Sequence, residues 1–269
     1  MNQNIISMRA SDGSIVKLEC HDSLVSTAKL TREYAKLGYP DRYVVMTEKR
    51  TRLDSDGKIK GYDTGIFMSC ILRPSIFPSQ ATLISPMSAV ALAQALEEHT
   101  DSKIGIGWVG SIYCDGRHIG GVNIEGKLDS FTSYEYLIIS FSVILNEKKF
   151  PARVSDLIKK VFATEPTSVP LIITKNILNK FFPLYHNLKN SAKFMDAYRQ
   201  KFILRGERVT YLENGKKRRY KVMGTDAKNC ALLLEGRDKR VFSVYTPTNV
   251  IAPRRIKLKN QKEDKKNGA

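Results

Sequence analysis

Apolar and polar residues alternate in "SIVKLECHDS", which predicts a short strand. The spacing then turns helical in "STAKLTREYAKLG", where Ser26 is placed to cap and Gly38 to stop. "RYVVMTEK" reads as a second strand and "IFMSCILRP" as a third, with the charged, glycine-containing "EKRTRLDSDGKIKGYDTG" expected as a loop between them. "SPMSAVALAQALEEH" has the pattern of a helix capped by Ser85, with Pro86 in its first turn and Met87, Val90, Ala91 and Ala95 on one face. "SYEYLIISFSVILN" is an apolar run expected as a central strand. Beyond Phe150 the spacing is helical, with Val154, Leu157, Ile158 and Val161 on one stripe and Phe194 and Tyr198 in a later one. After Gly206 the period falls to two, which predicts several short strands in a small barrel with Asn214-Gly215 as a hairpin turn.

Lys103 to Gly126, "KIGIGWVGSIYCDGRHIGGVNIEG", reads as strand, hairpin and strand. Asp115-Gly116 sits where a two-residue turn needs positive φ at both central positions. Gly120-Gly121 follows inside the next strand, where a missing Cβ marks either a bend or the close approach of a ligand or of other backbone.

Length and composition suit a core plus a small appended domain: 269 residues, 42% hydrophobic. The four cysteines lie far apart in sequence, without metal-ligand or disulfide-framework spacing, and suit a reducing cytoplasmic setting. Neither a leader pattern nor an apolar run of membrane-spanning length stands out, so secretion and membrane insertion are not expected. The net charge of +17 invites a polyanion partner. Much of it sits late in the chain: Arg205 to Lys221 and Arg254 to Ala269 each carry seven basic and two acidic residues. Without an aromatic-interleaved basic strand or a helix-turn-helix pattern, the sequence weighs against nucleic acid. Lys257 to Ala269 reads as a disordered basic tail.

The order of these elements resembles the biotin protein ligases: "HDS" before the first helix, "IGWVGSIYCDGRHIGGVNIE" in the middle, and "FMDAYRQKFILRGERV" entering a small barrel. The resemblance covers most of residues 15 to 256 and implies an α+β fold. Its parts are a mixed sheet flanked by helices like the class II aminoacyl-tRNA synthetase core (1–204), then an SH3-like barrel (205–256) and the tail (257–269), without the winged helix of the repressor-type ligases. It also implies ATP with magnesium and biotin as reactants, biotinyl-adenylate as intermediate, and a lysine of a biotin carboxyl-carrier domain as acceptor. The oligomeric state is left open.

The match is uneven at the motifs. Against the family's Lys-Trp-Pro-Asn-Asp the chain has Gly107-Trp108-Val109-Gly110-Ser111, and against Arg-Lys it has Arg117-His118 before Ile119-Gly120-Gly121. Asp22 and Ser23 begin the Asp-Ser-Thr-Asn signature, but Leu24 and Val25 replace its polar half. The Gly-Arg-Gly-Arg loop corresponds to "EKRTRLDSDGK", with Arg50 and Arg52, and the Gly-x-Gly-Ile-Asn strand to "SFSVILN", where Phe141 is a candidate to fill ligand space. The resemblance thus implies Ser23, Arg50, Arg52, Trp108, His118, Gly120 and Gly121 as substrate-binding residues. No catalytic residue or metal ligand is assigned. Two lysines are missing, which points to weak or altered ligase activity. A non-catalytic protein of the same fold, binding a carrier domain, ligand or partner, is the alternative. Cys114, beside the hairpin turn, is read as structural rather than nucleophilic.

Overall fold

The computed structural model describes residues 4–130, 133–145, 169–188, 190–226, 230–245 and 247–256. The stripe from Val154 to Val161, Asn146 and the tail from Lys257 lie outside them.

Eight strands make the larger sheet: β1 (Asn4–Arg9), β2 (Ile15–His21), β3 (Tyr43–Leu53), β4 (Ile59–Leu72), β5 (Ile104–Ile106), β6 (Ser111–Cys114), β7 (Arg117–Ser130) and β8 (Ser133–Ile144). Their order is β1-β2-β3-β4-β8-β7-β6-β5. Only β2 and β3 run parallel, joined by the crossover helix α1 (Thr27–Lys36), so the sheet is mixed. Ser26 caps α1 by accepting the Lys29 N–H, and Gly38 follows it at φ +82°, as the sequence pattern predicts.

Among the described residues the larger unit also contains the helices α2 (Ile84–Glu97), α3 (Val169–His186) and α4 (Ala192–Lys201). Alternation along the strands divides its core. Leu18, Val44, Met46, Met68, Ile139 and Phe141 point to the side packed with α2 and α3 residues, whereas Val45, Ile71 and Ile138 share a cluster with Ala35 of α1. Most of α2 is buried, which explains why it is apolar nearly all round. α3 keeps Pro170 in its first turn and Pro183 near its end.

A second sheet contains β9 (Arg208–Glu213), β10 (Lys216–Thr225), β11 (Leu232–Glu235), β12 (Val241–Val244) and β13 (Val250–Ile251), in the order β12-β11-β10-β9-β13. Among the described residues this is a five-stranded β-sheet whose end strands share no ladder. Asn214 and Gly215 have φ of 49° and 77°, as the hairpin requires. Val209, Val222, Leu232 and Leu234 form its core together with Trp108 and Tyr113 of the larger unit.

Two expectations need correction. The charged stretch after Glu48 is not a loop: β3 runs on to Leu53 and pairs with β4, leaving only a tight turn in which Asp54 accepts the N–H groups of Asp56 and Lys58. Both faces of this hairpin carry polar residues, so no alternation betrays it, and the ladder itself satisfies the backbone. Ser85 does not cap α2. The helix starts at Ile84, continuing a 3₁₀ turn over Pro78–Leu83, and Ser85 stands inside its first turn.

Candidate functional site

Three small polar residues stand side by side on the α1 face of the sheet, because Asn123 of β7 pairs with Ser140 of β8, which pairs with Ser69 of β4. The Ser69 hydroxyl lies 2.8 Å from those of both Thr27 and Ser140. These three hydroxyls satisfy one another in a row beneath α1. Above them lies a recess of about 250 Å³, walled by Leu24, Val25, Phe67 and Arg50 and floored by Thr27, Thr47, Ser140 and Ser142. A small recess with apolar walls and a hydroxyl floor suits a compact ligand that has both kinds of surface.

Asn123 also borders a second, larger cleft of about 520 Å³, formed where Trp108, Val109, Tyr113 and His118 face residues 250–254 of the second unit. Val109 adopts φ 55°, an unfavourable conformation for a β-branched residue, inside the 3₁₀ turn Trp108–Gly110. Backbone held this way next to a cleft is a feature of functional sites.

The residues implied by the resemblance are only partly brought together. Trp108 and His118 share the larger cleft. Trp108 is 8% exposed, and its indole Nε1 donates to the Cys230 carbonyl at 2.7 Å, so it also fastens the two units. His118 stands edge-on to Tyr113, and its N–H donates to the Arg254 carbonyl at 3.0 Å. Partial desolvation and the Arg254 charge hold the His118 imidazole below its usual pKa. It is neutral at pH 7 and supplies no fixed positive charge.

Arg50 borders the smaller recess, stacked 4.7 Å over Phe67, and donates to Asp63 at 2.8 Å. Arg52, from the same strand, approaches the same carboxylate at 3.4 Å but borders neither cavity. Ser23 is exposed and also outside both linings, its place at the recess taken by Leu24, Val25 and Ser26.

Gly120 and Gly121 meet protein backbone. A Cβ on Gly120 would lie 1.9 Å from the Ser142 carbonyl, and one on Gly121 2.5 Å from that of Gly110. Close approach of strands within the chain therefore accounts for both glycines. Phe141 turns its ring to the opposite face of the sheet, 5.8 Å from Phe181, and leaves the recess open to Ser140 and Ser142. Cys114 is buried, and desolvation pushes its thiol up to about 11, the behaviour of a structural cysteine.

The hydroxyl row was missed from sequence. Ser69 and Ser140 sit in apolar strands and carry no motif; only their cross-strand register reveals them. Asn123, shared by the two cavities, is equally silent in sequence.

No family model matches the chain. Among curated proteins, the bifunctional ligase/repressor BirA of Bacillus subtilis is 27% identical over 144 residues, covering 51% of this chain and 43% of that protein. The BirA of Bacillus spizizenii is 26% identical over 143 residues, with the same coverage. The match thus spans less than half the length of these relatives. Among solved structures, a biotin protein ligase-like protein of unknown function from Silicibacter superposes with a TM-score of 0.63 at 14% identity, over 85% of this chain and 94% of its own. Biotin protein ligase from Aquifex aeolicus superposes with a TM-score of 0.63 at 17% identity, over 87% and 96%, and its complex with biotin and ATP with 0.62. The fold is that of the biotin protein ligases.

Proposed function

We propose that this biotin protein ligase-like protein binds biotin or a related short carboxylic acid in the small recess and a nucleotide in the adjoining cleft. On this reading it forms the acyl-adenylate slowly. The observation that carries it is the continuity of the two cavities at Asn123: a hydroxyl-floored recess of ligand size opens beside a cleft large enough for a second group. In this reaction a carboxylate oxygen attacks the α-phosphorus of ATP, pyrophosphate leaves, and an acceptor lysine, of a carboxyl-carrier domain by resemblance, then displaces AMP. Among the described residues no group of three His, Cys, Asp or Glu side chains could hold a metal ion, so magnesium in this reading belongs to the nucleotide.

The expected slowness follows from charge. Among the described residues lining the two cavities, only Arg50 and Arg254 carry a permanent positive charge, and Arg50 is already paired with Asp63. Each positioned donor lost from a developing charge costs about 10²–10³ in rate, so two independent losses slow adenylation by on the order of 10⁴-fold. The same Asp63 pairing favours a second reading, a non-catalytic protein that binds a ligand, carrier domain or partner.

Calorimetric titration with biotin, with and without ATP, and a parallel assay of pyrophosphate release separate these readings. Binding of biotin, tightened by ATP and accompanied by slow pyrophosphate release, is expected. Binding without release would favour the second reading. No heat from either ligand with folded protein would remove the ligand assignment.

A further inference from the structure

The second sheet presents a basic surface unrelated to the cavities above. In β10, Tyr220 and Val222 face its core, which turns Lys217, Arg219 and Lys221 outward. Pairing sets Arg208 of β9 opposite Lys221, and the turn between β11 and β12 brings Arg237 and Lys239 alongside. Arg208, Arg219, Lys221, Arg237 and Lys239 line a depression of about 480 Å³ in which, among the described residues, Glu235 is the one carboxylate. A second depression, of about 850 Å³, adjoins it across Arg219, Gly236 and Arg237, and adds Lys217, Arg218 and Arg240.

Within this trough Arg218 pairs with Glu213 at 3.1 Å and Arg240 with Asp238 at 3.6 Å. The other six cations, Arg208, Lys217, Arg219, Lys221, Arg237 and Lys239, form no ion pair with any carboxylate among the described residues. Converging like charges repel, and an isolated anion answers only one or two of them. A chain of regularly spaced anions answers all six, releasing counterions as it binds. Arginine forks also match phosphate oxygens. The partly exposed Phe242 also borders the second depression and sets one aromatic ring beside the cations.

We propose that this trough binds single-stranded nucleic acid, its phosphates following the six unpaired cations from Lys239 and Arg208 past Arg219 to Lys217. The concave, two-part shape favours a flexible single strand over a rigid duplex, which would rest on the rims. Sequence alone argues the other way. It presents these residues as two separate runs, and only the β9–β10 and β11–β12 hairpins place Arg208, Arg237 and Lys239 beside the β10 cations.

The test is fluorescence anisotropy of a labelled mixed-sequence oligonucleotide with the full chain across a salt series. Six phosphate contacts predict a slope of log K on log salt of about −4, a loss on the order of 10²-fold between about 50 and 200 mM. Arg219→Gln with Lys221→Gln should weaken binding about 10-fold or more and flatten the slope by about 1.4, whereas Lys17→Gln with Lys29→Gln on the larger unit should leave both unchanged. All four substitutions replace exposed or partly exposed polar side chains, and thermal melting verifies folding. Absence of binding at low salt, or binding that survives the Arg219/Lys221 change, would overturn the proposal. So would tighter binding of duplex. Equal binding of polyglutamate, weakened alike by that change, would assign the trough to an acidic protein instead.

Discussion

Gly107 and His118 are the two places where the resemblance implies a lost lysine, yet they differ in what they tolerate. A Cβ at Gly107 would lie 2.9 Å from the Tyr113 ring and 3.2 Å from the Ser111 Cβ, and Tyr113 is held by donating its hydroxyl to the Pro253 carbonyl. Gly107→Lys should therefore destabilise the fold by about 1–3 kcal/mol through overpacking, seen as a lower denaturant midpoint. His118 is exposed and borders the cleft, so His118→Lys is accommodated and should raise pyrophosphate release with biotin and ATP by about 10-fold. A fully active wild type, or no gain from the lysine, would mean that charge at this position does not limit the reaction. Of the site, the sequence makes Trp108 and His118 legible because they sit in a recognisable hairpin. Ser23 and Arg52 border neither cavity; for Arg52, which side of β3 it faces depends on the bulge between Thr47 and Lys49, which no sequence pattern shows.

At the scale of elements, the pattern predicts α1, α2 and α4, while the β3–β4 hairpin is not evident from it and α3 falls in the helical region beyond Phe150 without being singled out. The hairpin is polar on both faces, and α3 carries two prolines, so local preference conflicts with what tertiary packing imposes. α3 is joined to the end of α2 by an uncharged histidine: Asn176 donates to His99 Nε2 at 2.8 Å and to Glu98 at 3.1 Å. Burial pushes the His99 pKa below its usual value, with Glu98 opposing. The folded state then binds fewer protons than the unfolded chain below about pH 6.5, so this contribution is complete above that pH and is lost on acidification through the lowered folded pKa. Wild type should lose denaturant resistance between about pH 7 and 5, and His99→Gln should lose less of it. An identical pH profile in the variant would show that His99 does not carry the effect.

At the scale of the molecule, the change of period at Gly206 makes the second sheet, which begins at Arg208, legible in sequence but says nothing of how it is fastened. The fastening is a strap. Tyr113 donates its hydroxyl to the Pro253 carbonyl, the N–H of His118 reaches the Arg254 carbonyl, and the N–H of Ile256 reaches Gly116 at 2.7 Å, while Ile256 itself is 4% exposed. These residues cross the β6–β7 hairpin next to the cleft, so chain just short of the basic tail helps to shape the candidate nucleotide site. Truncation after Ile256 should leave the melting temperature within about 1–2 °C, as expected for a solvated tail. Truncation after Pro253 also removes the buried Ile256 side chain, worth about 1.5–3 kcal/mol, and two backbone hydrogen bonds worth about 0.5–1.5 kcal/mol each. That shorter chain should melt about 5 °C lower or more, and its affinity for nucleotide should fall with it. Equal melting of the two truncations would mean that the strap rests on the hairpin without holding it, and the fastening would then fall to Trp108 and its bond to Cys230.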